Sequence, residues 1–148
     1  MDVGMSFIDR IIESGLGVHF QPILSVRARS LVGYEALARA VDPDTGEAVS
    51  PSLLFARAEE EGKVLELDRA CRQAALESFA PMVERLPLLL LFMNFESSII
   101  DGGAVGSGHL LRTTKAAGVD PRNVVIEIVE SKVNDVGAMR VFIESHRA

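Results

Sequence analysis

Three oxygen-bearing side chains stand where a buried strand calls for apolar ones: Glu35, Asn94 and Glu127. Each lies toward the C-terminal part of an apolar stretch of strand length, the end at which α/β proteins bind ligands. Strand alternation puts Glu35 on one face with Gly33, Leu37 and Arg39, Asn94 with Leu90 and Phe92, and Glu127 with Val125 and Val129. A carboxylate on such a face is costly unless it is paired, hydrogen-bonded or bound to metal. Two carboxylates and an amide carbonyl converging from adjacent strands form a hard-oxygen set that suits Mg²⁺ or Mn²⁺ better than Zn²⁺. A structural reading stands beside this one, with Glu35 paired to Arg39 or a lysine, Asn94 ending a strand, and Glu127 facing a neighbouring cation.

Alternating strands and helices must position these groups. A weak helical stripe over residues 5–14 (Phe7, Ile8, Ile11, Ile12) ends at Gly15 and Gly17. Val18 to Val26 and Leu31 to Arg39 read as an antiparallel hairpin across Arg27–Ser30, followed by a loop punctuated by Pro43 and Gly46. Ser50 N-caps a helix that starts at Pro51 and stops at Gly62; a longer helix runs from Val64 to about Arg85, with Pro81 expected to end or kink it late. The apolar run Pro87 to Phe95 and the run Val124 to Val129 read as strands covered on both faces, with helices over His109–Ala117 and Asp135–His146. Such alternation predicts α/β units on a parallel sheet. Residues 1–17 form a lead-in and 18–148 one domain.

A net charge of −6 without a basic stretch argues against a nucleic-acid polymer as partner. One cysteine, Cys71, allows no intrachain disulfide. The N-terminus lacks a secretory pattern, and the longest apolar run, Leu86 to Met93, is too short to span a bilayer, so the expectation is a cytoplasmic chain with no membrane segment. Asp42–Gly46 reads as a turn rather than a calcium loop, because Leu53 stands where the twelfth ligand belongs. Gly102, Gly103, Gly106 and Gly108 read as a flexible connection, His19, His109 and His146 as structural or surface residues, and Ala58–Glu61 as a solvated helix face. Cys71 reads as a small apolar packing group within its helix.

Taken together in order, Phe20-Gln21-Pro22-Ile23, Gly33-Tyr34-Glu35-Ala36-Leu37-Ala38-Arg39, Ser50-Pro51 with Phe55 and Ala58-Glu59, Leu91–Phe95 and Ile126–Ser131 resemble the successive signatures of the EAL-domain family. The resemblance covers about residue 18 to 135 and implies a TIM-type (β/α) barrel with an antiparallel first strand, present here as a partial barrel of about four strands. It implies a metal-dependent phosphodiesterase that hydrolyses cyclic di-GMP to pGpG, with Glu35, Asn94 and Glu127 as metal ligands acting in catalysis. Gln21, Leu37 and Arg39 would touch the dinucleotide, Arg39 with its fork on a phosphate oxygen.

Departures from the family pattern temper that implication. Glu96 stands where the family has a small hydroxyl residue, the proline after it is lost, and Val129 replaces a threonine. Glu96 and Val129 favour an alternative in which the parent is a catalytically silent cyclic di-GMP receptor or a protein-interaction scaffold, whereas the intact Glu35, Asn94, Glu127 and Arg39 favour the enzyme. Glu130 faces away from Glu127 on alternation and takes a supporting role. The family's next strand, with an Asp-Asp pair for the metals, falls beyond Ala148, and 148 residues is well short of the roughly 250 of a complete barrel. This chain alone is therefore expected to be inactive and to self-associate through exposed strand edges.

Overall fold

The computed structural model describes residues 4–95, 108–128 and 135–146. A single helical turn, α1 (Phe7–Arg10), opens on a capping box in which the Ser6 hydroxyl accepts from the Asp9 N–H and the Asp9 carboxylate accepts from the Ser6 N–H. It widens into a π-helical turn at Ile11–Gly15 before the chain becomes extended. Strands β1 (Leu16–Ser25) and β2 (Ser30–Val41) form the antiparallel hairpin, β1 starting before the expected Val18 and β2 running past both ends of the expected Leu31–Arg39. The following loop holds a two-residue strand, β3 (Ala48–Val49), on the end of β2. Helices α2 (Pro51–Glu61) and α3 (Val64–Arg85) lead to β4 (Leu90–Phe95), which lies parallel to β2. Helix α4 (His109–Ala116) then precedes β5 (Val124–Ile128), parallel to β4, and α5 (Val136–His146) follows.

The sheet order is β1-β2-β4-β5, with β3 attached to β2. This is the α/β layout with an antiparallel first strand that the sequence predicts. Parallel pairing needs a crossover, and α2 and α3 supply the first of them. Between β4 and α4 Gly108 alone is described, so the flexible connection expected at Gly102, Gly103 and Gly106 falls outside the described residues, as do Glu96, Val129 and Glu130.

Alternation assigns the two sheet faces. Leu91, Met93 and Phe95 of β4 are buried against Ala75, Leu76, Phe79 and Val83 of α3, with Val18, Phe20, Tyr34, Ala36, Val124, Ile126 and Ile128 packed around them. This is the helix-covered face. A second cluster joins Ile8 and Ile11 to Ala40, Leu54, Ala58 and Leu67, seating α1, α2 and the start of α3 at the far end of β2. The remaining face of the strands carries Glu35, Asn94 and Glu127.

Local chemistry sets the register. Asn123, just before β5, donates its side-chain amide to the carbonyls of Pro87 and Leu89 at 2.9 and 2.7 Å. That clasp ties the start of β5 to the start of β4. Before it, Asp120 accepts from the Arg122 backbone N–H and pairs through both oxygens with the Arg122 guanidinium, which holds the Asp120 carboxyl down at about 2. Ser50 caps α2, Pro51 begins it, and Gly62 ends it in the left-handed region at φ 67°.

Helix α3 has the bounds the sequence predicts, Val64 to Arg85, and continues through Pro81, with Val83 beyond it buried in the core. Two expectations need correction. The Ala58–Glu61 stretch is not simply a solvated face. Ala58 is fully buried, and the Glu61 carboxylate accepts from the Ile8 N–H at 3.2 Å, satisfying one of the unpaired donors at the start of α1. The strand expected from Pro87 begins only at Leu90. Asp42, by contrast, does form a turn, its carboxylate accepting from the Asp44 N–H at 2.9 Å.

Cys71 sits partly buried on α3, and its thiol is pushed up to about 12, first by burial and then by the nearby Asp68 carboxylate. At pH 8 the native thiolate is then roughly one part in ten thousand, against a sizeable fraction in an unfolded chain. Iodoacetamide at pH 8 should modify the folded protein about a thousandfold more slowly than the same protein in denaturant. Equal rates in both states contradict this packing.

Candidate metal centre

Register places all six candidate residues on the face opposite the helices. Glu35 pairs with Gln21 across the hairpin and with Phe92 on β4, while Leu37 pairs with His19 and Arg39 with Gly17. Asn94 lies two residues beyond Phe92 and pairs with Glu127 on β5. Because side chains repeat every second residue, Gln21, Glu35, Leu37, Arg39, Asn94 and Glu127 share one surface across four neighbouring strands.

The contact that joins them is direct. The Asn94 side-chain Nδ2 donates to Glu35 Oε1 at 2.8 Å, although the two residues are 59 apart in sequence. With its nitrogen used this way, the amide presents Oδ1 as its remaining acceptor. Glu127 stands in register beside Asn94 on the next strand, about 4.8 Å away at the backbone. Thus Glu35 is paired with Asn94 and not with Arg39, which instead donates from Nη1 to the Ala38 carbonyl at 2.9 Å. Glu35, Leu37, Arg39 and Glu127 are half-buried, and Gln21 and Asn94 are exposed.

This donor set fits a hard divalent cation. Its atoms are carboxylate and amide oxygens carried on strands, with no thiolate among them, and Asn94 holds one carboxylate in place. Among the described residues, no group of three or more His, Cys, Asp or Glu side chains could hold a metal, so the set depends on the Asn94 oxygen and offers three protein ligands where Mg²⁺ takes six.

Between the C-terminal parts of β2 and β4 and helices α2 and α3 lies a cavity of about 200 Å³ whose walls include Leu37, Arg39, Phe55, Arg72, Met93 and Asn94. Arg39 and Asn94 thus line one cavity. Sequence reasoning missed two features here. His19 lies on the same face at the level of Leu37, a position that only the hairpin register reveals. Asp68 and Arg72, four apart on α3, form a buried ion pair at the cavity wall. Their spacing along an otherwise apolar helix stripe was the available signal.

The family model described as "EAL domain" matches residues 7–148. A Bacillus subtilis protein, the uncharacterised EAL-domain-containing YkuI, is 32% identical over 114 residues, covering 76% of this chain and 27% of its own length. The Escherichia coli protein PdeB, named as a probable cyclic di-GMP phosphodiesterase, is 27% identical over 140 residues, which is 94% of this chain and 27% of PdeB. The chain thus spans about a quarter of either relative. Among solved structures, Klebsiella pneumoniae BlrP1 in a manganese and cyclic di-GMP complex superposes with a TM-score of 0.70 at 23% identity, covering 93% of this chain and 33% of that one. At that identity the likeness establishes the fold.

Proposed function

Since the chain belongs to the EAL-domain family, we propose that the protein carrying it hydrolyses cyclic di-GMP to linear pGpG, with Glu35, Asn94 and Glu127 as ligands for Mg²⁺ or Mn²⁺. The observation that carries this reading is the Asn94–Glu35 hydrogen bond with Glu127 in register beside it. Apolar strands have no structural need for two carboxylates and an amide at one level of the sheet. A common cation gives them a purpose. The naming of PdeB as a cyclic di-GMP phosphodiesterase and the manganese and cyclic di-GMP bound to BlrP1 point the same way.

Divalent ions, when bound, supply an activated water and neutralise charge developing on the phosphodiester. The chain's own residues have simpler tasks. Glu35 and Glu127 provide anionic oxygens on rigid strands, and the hydrogen bond from Asn94 keeps the Glu35 carboxylate aimed. Arg39, at the cavity, offers a planar fork to a phosphate oxygen, Leu37 gives the dinucleotide an apolar wall, and Gln21 presents an amide opposite Glu35. Three protein oxygens leave the other positions of an octahedral shell to water, substrate phosphate or further parts of the protein, and this chain on its own should show no turnover of cyclic di-GMP.

A receptor or scaffold reading draws on Glu96 and Val129, which replace smaller and hydroxylated family residues. Calorimetry and product analysis on the intact protein with Mn²⁺ and cyclic di-GMP separate the three. Turnover to pGpG supports the enzyme; binding without turnover makes the protein a receptor, and neither makes it a scaffold. The described sheet also leaves β1 and β5 with a strand neighbour on one side only, which supports self-association. Light scattering should then give a mass above that of one chain, and a monomer at every concentration opposes it. No helix among the described residues is long and apolar enough to cross a membrane.

A further inference from the structure

Resting on the metal reading above, we propose that Arg72 is a positioning residue: held by Asp68 and laid over the ring of Phe95, it fixes the end of β4 from which Asn94 reaches the cation. Arg72 and Asp68 are 7% and 3% exposed, so both charges are withdrawn from water inside a helix that faces the sheet. A buried ion pair of this kind is weak evidence for stability, because apolar residues of similar volume often replace one without loss. Geometry suggests another use. The Arg72 guanidinium carbon lies 4.1 Å from the centre of the Phe95 ring, close enough for a flat cation–π contact. The same ring meets Phe142 of α5, with centroids 5.1 Å apart.

Phe95 and Asn94 are neighbours on β4 with side chains on opposite faces. Clamping the ring of Phe95 on the helix side therefore fixes the backbone that aims Asn94 on the other. Arg72 also lines the cavity that Arg39 and Asn94 line, so the clamp lies next to the site. Burial draws the Arg72 pKa below its usual value, while Asp68 opposes that pull. Metal ligands are commonly held in this way by outer partners, whose loss weakens metal binding about 10–100-fold.

The test is Mn²⁺ affinity of the intact protein without nucleotide, read from the free-ion electron paramagnetic resonance signal, beside its melting temperature. The neutral pair Asp68→Asn with Arg72→Met removes both charges of the buried ion pair together and keeps a long unbranched side chain at position 72. It should melt within a few degrees of the parent yet bind Mn²⁺ at least about tenfold more weakly. Phe95→Leu keeps the ion pair but removes the ring and should weaken Mn²⁺ similarly, which decides the matter if the double variant fails to fold. Glu127→Gln serves as the control for the underlying site. Mn²⁺ affinity that falls in Glu127→Gln but is unchanged in Phe95→Leu and in the folded double variant overturns the positioning role alone. Mn²⁺ affinity that survives Glu127→Gln overturns the metal site, and the positioning role with it.

Discussion

Replacing Glu127 by Gln in the intact protein should lower turnover of cyclic di-GMP by at least about a hundredfold while leaving the melting temperature unchanged or slightly raised. The two halves of that expectation have separate causes. A metal ligand contributes to charge stabilisation worth several kcal/mol in the transition state, and each 1.4 kcal/mol is about tenfold in rate. Glu127 is half-buried and stands beside the Asn94–Glu35 pair, so the metal-free site holds two carboxylates on one face. Removing one relieves their repulsion without opening a cavity, because Gln has nearly the same shape. Glu35→Gln should behave alike in turnover. A residue with a merely structural role gives the opposite pattern, a loss of stability with turnover per folded molecule preserved. Steady-state kinetics beside thermal denaturation distinguishes the two patterns.

Gly33→Ala should be the most disruptive small substitution in the sheet, costing about 3 kcal/mol and lowering the melting temperature by roughly 10 °C. Gly33 is buried where β2 crosses closest to β4. A Cβ there would sit 2.0 Å from the Leu90 carbonyl oxygen and within 3 Å of two further Leu90 backbone atoms. Backbone cannot rotate aside as a side chain does, so the strands must separate or slip. Gly33 pairs with Leu90 two residues before Glu35 meets Phe92, so any separation also moves Glu35 away from Asn94. The expected signature is therefore joint: a lower urea midpoint and weaker Mn²⁺ binding in the protein that remains folded. An alanine variant as stable as the parent contradicts the close approach.

Much of this was legible in the sequence because it is local. Alternation of apolar and polar residues gave the faces of β2, β4 and β5, and Ser50, Pro51 and Gly62 bracketed α2 within a residue of its observed ends. Glu35, Asn94 and Glu127 stood out because each interrupts an apolar strand. Long-range partners were not legible. The Glu61 carboxylate at the Ile8 N–H spans 53 residues, and Lys63 reaches both Ser6 and Asp9 across a similar gap. Periodicity says which face a side chain takes but not which distant group it meets there. Nor does it mark β3, whose two residues are too few for a pattern, or the π-helical turn at Ile11–Gly15, which continues the helical stripe of α1.

The most direct measurement is anomalous diffraction from crystals of the intact protein grown with Mn²⁺. A manganese peak should lie within about 2.2 Å of carboxylate oxygens from Glu35 and Glu127 and of the Asn94 amide oxygen, with the Asn94 nitrogen still turned to Glu35. A peak bound elsewhere, or these three side chains well ordered at full manganese occupancy of another site, would remove the metal from this face of the sheet and the proposed chemistry with it.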